Sequence, residues 1–178
     1  LGSTGSIGKS TLEIVKKDKK NFEVVLLSTN KNLRELSKQQ KIFKPKYLII
    51  NDFKNFIKFK KKNKSKIKVF NDYNFIKKIF KKKIDYTMCS ISGFDGLKPI
   101  LDIIPFTKIV AIANKESLIC GWNLLHAKIK KHNTKFIPVD SEHFSIWSLI
   151  KNSSEYIDKI YITASGGPFL NKKAKDLK

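Results

Sequence analysis

Leu1-Gly2-Ser3-Thr4-Gly5-Ser6-Ile7-Gly8 opens the chain and decides how the rest of it is read. Glycines at positions 2, 5 and 8 make a tight turn, and an amphipathic segment from Ser10 to Lys20 follows at once. In that layout the first backbone N–H groups of a helix face an anion such as a pyrophosphate. The spacing G-x-x-G-x-x-G is a variant of the commoner dinucleotide pattern G-x-G-x-x-G, and an ordinary tight turn has the same residues. The strand that should feed such a turn has no counterpart before Leu1, so the chain is expected to be an excised piece of a larger protein.

Downstream, short apolar runs alternate with helical patterns. Strands are expected at Phe22–Ser28, Tyr47–Ile50, Ile67–Phe70, Asp85–Ile91, Ile109–Ala113, Phe136–Val139 and Ile160–Thr163. Helices are expected at Leu33–Phe43, Phe53–Lys62, Tyr73–Lys82, Leu97–Ile104, from about Ala113 to Lys130, and at Phe144–Ile150. This alternation predicts an α/β fold: a Rossmann-like, doubly wound, mostly parallel sheet with helices on both faces. Ligands of such sheets collect at the carboxyl ends of strands. The polar motifs of this chain all sit there.

The second strand ends in Ser28-Thr29-Asn30-Lys31-Asn32. An NAD site usually carries a carboxylate at this place for the ribose 2′-hydroxyl, and here a lysine stands among hydrogen-bonding neighbours. NADPH is therefore expected over NADH. Val139-Asp140-Ser141-Glu142-His143 follows a later strand. In extended chain Asp140 and Glu142 point the same way, and two carboxylates together invite a hard divalent cation. The same residues also suit a helix start, with Asp140 or Ser141 as cap and Glu142 in the first turn. Asn114-Lys115-Glu116-Ser117 has both readings too: polar ligand-edge material, or a helix capped by Asn114. Ser165-Gly166-Gly167 suits an anion-binding nest or a plain turn.

The chain has 178 residues with 37 Lys+Arg against 15 Asp+Glu, a net charge of +22. Arg34 is the sole arginine, whereas nucleic-acid recognition favours arginine's planar fork. Lysine runs such as Lys60–Lys62 and Lys81–Lys83 come with abundant Asn, Ile and Phe, as AT-rich codon usage produces, so no nucleic-acid partner is expected. No apolar run approaches the ~20 residues that span a bilayer, so no membrane partner is expected either. Cys89 and Cys120 make no disulfide framework, and Cys89 reads as a small core residue.

Taken together, LGSTGSIG at 1–8, ANKESL at 113–118, PVDSEH at 138–143 and ASGGPF at 164–169 resemble the 1-deoxy-D-xylulose 5-phosphate reductoisomerase family in order and spacing. The resemblance implies a domain at 1–137 that binds NADPH and, from 138 to 178, the truncated start of an α/β catalytic domain. It implies that Thr4, Gly5, Ser6 and Ile7 hold the pyrophosphate and that Asn30, Lys31 and Asn32 lie by the adenosine ribose and its phosphate. Asn114 and Glu116 would line the cofactor site. Lys115 would contact substrate and, with Glu142, serve catalysis. Asp140 and Glu142 would bind Mg²⁺ or Mn²⁺, while Ser141, Glu142 and Ser165 would touch 1-deoxy-D-xylulose 5-phosphate. The family's reaction rearranges that ketose phosphate and reduces it to 2-C-methyl-D-erythritol 4-phosphate. The third metal carboxylate and the substrate lid would lie beyond Lys178, so the chain alone should be inactive. A homodimer is expected for the full-length enzyme, and the AT-biased composition suggests a plastid setting. Another NADP-dependent Rossmann oxidoreductase and, in a different class, a basic nucleic-acid-binding module are the competing readings; the former leaves Asp140 and Glu142 unexplained.

Overall fold

Tyr47-Leu48-Ile49-Ile50 has no polar face, as befits a strand covered on both sides. Leu48 and Ile50 point into one apolar cluster with Leu12, Leu27, Leu36 and Phe59, while Ile49 points into another with Tyr73, Ile76 and Ile103. The alternation of a strand therefore puts two cores on opposite faces of one sheet. The computed structural model describes residues 1–152, 156–161 and 173. The chain divides into two units, Leu1–Asp140 and Ser141–Lys178.

In the first unit, helix α1 (Ser6–Lys17) leads to β1 (Leu26–Thr29), α2 (Leu33–Phe43), β2 (Tyr47–Ile50), α3 (Phe53–Lys62) and β3 (Lys68–Phe70). A short 3-10 turn and α4 (Ile76–Ile79) precede β4 (Ile84–Cys89). Then come α5 (Leu97–Ile103), β5 (Thr107–Ile112), α6 (Lys115–Lys131) and β6 (Lys135–Pro138). The strands form two three-stranded parallel sheets, ordered β1-β2-β3 and β4-β5-β6. The second unit begins with α7 (Ser141–Asn152).

Leu1, Gly2 and Ser3 connect the two sheets. On one side Ser3 N–H donates to the Ser28 carbonyl at 2.9 Å. On the other, Ser90 N–H donates to the Leu1 carbonyl at 2.9 Å and the Leu1 amine donates to the Met88 carbonyl. Behind these three residues a groove of about 680 Å³ runs between β1 and β4, walled by Val24–Leu27 and Ile84–Met88.

Some expected elements are shorter than their patterns; β4, for one, ends at Cys89 and not at Ile91. The strand expected from Phe22 enters the ladder only from Leu26: the Val25 carbonyl still accepts Tyr47 N–H at 3.0 Å, but the register sets Val24 opposite Pro45, and proline has no N–H to give. The helix expected at Tyr73–Lys82 stops at Ile79: Phe80 turns extended and is buried, ahead of three consecutive lysines. The strand expected at Ile160–Thr163 runs into residues outside the described set.

Cys89 is buried at the end of β4, and burial pushes its thiol up to about 11, whereas Cys120 is exposed. The thiolate is the reactive form. Iodoacetamide at pH 8 is expected to label Cys120 in the native chain and reach Cys89 only after unfolding, as read by peptide mass spectrometry.

Candidate dinucleotide site

The glycine-rich turn is seated by its neighbours on both sides. Gly2 N–H donates to Ser28 Oγ at 2.8 Å, Gly5 N–H closes onto the Gly2 carbonyl at 3.2 Å, and the Thr4 and Thr29 hydroxyls meet at 2.7 Å. Gly2 has φ +76°, and a Cβ there would lie 2.7 Å from the Ser90 carbonyl oxygen. A Cβ on Gly8 would lie 2.5 Å from the Gly2 carbonyl oxygen and 2.6 Å from Ser3 Cα. Only glycine lets α1 and the turn approach so closely. By contrast, a Cβ on Gly5 would meet nothing nearer than 3.5 Å.

The start of α1 is open. Gly5, its N-cap, has no side chain to bond the first turn, and no acidic residue stands in that turn. Among the described residues no hydrogen bond occupies the N–H groups of Thr4, Ser6 or Ile7. Orphan N–H groups and the positive end of the helix dipole suit this place to an anion. The cradle fits a pyrophosphate.

At the end of β1, Asn30 and Lys31 are exposed, and Asn32 caps α2 by accepting Glu35 N–H at 3.1 Å. The local sequence hid one acidic neighbour. Asp52 caps α3 at the end of β2, accepting Asn55 N–H at 2.9 Å. Those Asn55 hydrogen bonds, with the nearby charge of Lys31 as a smaller cause, hold its carboxyl below the usual carboxylate range.

Across the turn, Ser90 Oγ lies 2.9 Å from the Leu1 carbonyl oxygen and 3.1 Å from that of Gly2, within donating reach of both. Beyond it, Asn114 uses its whole amide on the scaffold. Its Oδ1 accepts Ser117 N–H at 2.7 Å, capping α6, and its Nδ2 donates to the Ile91 and Gly93 carbonyls. The helix-start reading of Asn114 thus holds, and it also ties down the 91–93 loop. Lys115 and Glu116 follow, exposed, in the first turn of α6. Ser117 Oγ is buried without a hydrogen-bond partner among the described residues.

Val139 N–H donates to the Ile112 carbonyl at 3.0 Å, so Asp140 follows the β5–β6 edge and ends the first unit. Ser141 and Glu142 open the second unit in the first turn of α7, exposed, with Ser141 Oγ donating to Glu142 Oε2 at 2.8 Å. Glu142 thus stands in the first turn, as the helix-start reading has it, an acid near a helix N-terminus. Among the described residues no group of three or more His, Cys, Asp or Glu is placed to hold a metal ion. Asp140 and Glu142 are hard oxygen donors, but two of them make an incomplete shell. Ser165 and its motif lie outside the described residues. No helix among the described residues is long and apolar enough to cross a membrane.

Residues outside the quoted motifs, Gln39, Tyr73 and Ser90, also hold the turn in place, working through Ser3 and Ser28 within them. Tyr73 OH donates to Ser28 Oγ at 3.2 Å, and burial pushes its phenol up to about 12.

The family model for 1-deoxy-D-xylulose 5-phosphate reductoisomerase matches residues 1–121. The chain belongs to that family. The model for the C-terminal domain of 1-deoxy-D-xylulose 5-phosphate reductoisomerase matches residues 136–178. The reductoisomerase of Pelagibacter ubique (strain HTCC1062) is 58% identical across 98% of this chain and 46% of its own length. That of Wolbachia pipientis (subsp. Culex pipiens, strain wPip) is 38% identical across 100% of this chain and 46% of its own. Among solved structures, the Zymomonas mobilis reductoisomerase in complex with NADPH superposes with a TM-score of 0.83 at 32% identity, covering 99% of this chain and 47% of that one. A reductoisomerase in complex with NADPH, fosmidomycin and magnesium superposes with a TM-score of 0.79 at 28% identity, covering 98% of this chain and 46% of that one. The chain thus spans about half the length of the reductoisomerases it matches. Membership displaces an unrelated NADP-dependent Rossmann oxidoreductase as the reading of the turn. These relatives are bacterial and lend no support to the plastid setting suggested by composition.

Proposed function

We infer that this chain supplies the dinucleotide site and part of the catalytic apparatus of an enzyme that converts 1-deoxy-D-xylulose 5-phosphate to 2-C-methyl-D-erythritol 4-phosphate with NADPH. The carrying observation is the open start of α1, with Thr4, Ser6 and Ile7 N–H groups unoccupied among the described residues. A family member of matching fold is solved with NADPH, which supports the same occupant here.

Thr4, Gly5, Ser6 and Ile7 then hold the pyrophosphate, while Asn30, Lys31 and Asn32 face the ribose and its 2′-phosphate. Asn114 acts through the scaffold it ties, positioning Lys115 and Glu116 at the strand ends; Lys115 contacts substrate and Glu116 borders the cofactor. The nicotinamide, when bound, supplies the hydride. Asp140 and Glu142 supply two of the oxygens that hold Mg²⁺ or Mn²⁺, with Ser141, Glu142 and Ser165 on the substrate. When bound, the cation offsets negative charge developing on the substrate oxygens. In this reading residues 1–137 are the cofactor domain, residues 138–178 begin the catalytic one, and the full-length enzyme is a homodimer.

Titrating the full-length protein with NADPH and, separately, with duplex DNA at ~0.15 M salt tests the reading. Saturable NADPH binding without DNA binding supports it; DNA binding without NADPH binding overturns it in favour of a basic nucleic-acid module. Cofactor choice has its own test in Lys31→Asp. A hydrogen bond to a charged group contributes about 1.5–3 kcal/mol, so NADPH affinity should fall about tenfold to a hundredfold. NADH, without the 2′-phosphate, should bind the variant nearly as before. Equal losses for both would remove Lys31 from the phosphate site.

A further inference from the structure

We propose that Gln39 is a positioning residue for the dinucleotide turn, gripping the peptide that sets the direction of the Thr4 N–H. The proposal rests on the cofactor reading above. Gln39 is on α2, on the same buried face as Leu36, and is 3% exposed. An apolar side chain would complete that face, yet an amide stands there. Both its ends bind one residue of the turn: Nε2 donates to the Ser3 carbonyl at 2.8 Å, and Oε1 accepts the Ser3 hydroxyl at 2.8 Å. Nε2 also reaches Glu35 Oε1 at 3.3 Å. Ser3 is itself only 6% exposed, so this ring of hydrogen bonds is shielded from water.

The consequence follows from peptide geometry. In a planar trans peptide the C=O and N–H point in opposite directions. A Ser3 carbonyl fixed toward Gln39 therefore fixes the Thr4 N–H away from α2, and no hydrogen bond occupies that N–H among the described residues. The other edge of Ser3 is held by its N–H on the Ser28 carbonyl. A second brace works beside it: Tyr73 OH and Gly2 N–H both donate to Ser28 Oγ. Gln39 so holds the Ser3–Thr4 peptide in one orientation before the nucleotide arrives, and the nucleotide need not select that orientation from several.

Gln39→Met keeps the length and unbranched shape and removes both hydrogen bonds. If the turn then keeps its binding geometry about a tenth of the time, the NADPH Kd rises about tenfold, because apparent affinity scales with the competent fraction. In the full-length protein, kcat at saturating NADPH and KM for 1-deoxy-D-xylulose 5-phosphate should stay within about twofold, since neither reports the orientation of the free turn. Ser3→Ala removes one of the two hydrogen bonds to Gln39, along with the hydroxyl's 3.1 Å reach to the Ser28 carbonyl, leaves the grip on the Ser3 carbonyl, and should raise Kd less; the double variant should add little to Gln39→Met. A lower Tm with NADPH Kd unchanged would make Gln39 merely structural and overturn the proposal, as would a parallel rise of both KM values. Should Gln39→Met not fold, Gln39→Leu, which likewise removes the grip on the Ser3 carbonyl, decides: an unchanged Kd overturns the proposal and a raised Kd supports it. Failure of the wild-type protein to bind NADPH is a separate result that removes the cofactor reading and this proposal together.

Discussion

Alanine at Gly8 is expected to weaken NADPH binding about tenfold to a hundredfold and to lower the Tm. The added Cβ would lie 2.5 Å from the Gly2 carbonyl oxygen and 2.6 Å from Ser3 Cα. Both are backbone atoms of the turn, so no side chain can move aside. Overpacking of this kind costs about 1–3 kcal/mol, which at 1.4 kcal/mol per decade gives the stated loss if it falls on the binding geometry. Gly5→Ala is the control that separates folding from binding. Its Cβ would come no nearer than 3.5 Å to the protein, so the Tm should stay close to that of the parent. The same Cβ would stand at the N-cap of α1, where the pyrophosphate is proposed to sit. NADPH binding should weaken with stability intact. Isothermal titration beside thermal melts reads both quantities. Full NADPH affinity in Gly8→Ala would mean that the turn is not the cradle.

Asp140→Asn in the full-length enzyme is expected to cut kcat by about a hundredfold or more while leaving the NADPH Kd within about twofold. The amide keeps the shape of the carboxylate and removes its charge. A cation's stabilisation of developing oxyanion charge amounts to several kcal/mol, and about 2.7 kcal/mol is already a hundredfold. The dinucleotide turn is built from β1, β4 and α1, so its affinity should not follow Asp140. Titration of activity with Mg²⁺ and Mn²⁺, beside NADPH binding, makes the comparison. Normal turnover of the variant at limiting metal would take Asp140 out of the ligand set.

Most of the strand and helix alternation is legible along the chain, because both elements write their periods into local sequence. Leu33–Phe43, Tyr47–Ile50 and Phe53–Lys62 fall where the pattern puts them. The misses have non-local causes. β1 is trimmed by a proline just ahead of the neighbouring strand, and the helix at Tyr73 ends where Phe80 turns into the core. The absence of a carboxylate at Ser28–Asn32 is correct as far as it goes, but Asp52 arrives beside Lys31 from the next strand end. One trace of the turn's support was readable: Gln39 interrupts the apolar face of α2. Its partner Ser3, 36 positions away, was not.

The sequence by itself determined the fold class, the place of the glycine-rich turn and, through four motifs in a fixed order, the family. Each depends on residues close together in the chain, where periodicity, glycine sterics and strand-end position act directly. Tertiary structure alone decided how the turn is held. Leu1–Ser3 join two sheets, Ser28 and Ser90 grip them from strands far apart in sequence, and Asn114 turns out to tie a loop as well as cap a helix. A buried polar group must find its partner wherever the fold brings one, and spacing along a chain does not record that meeting.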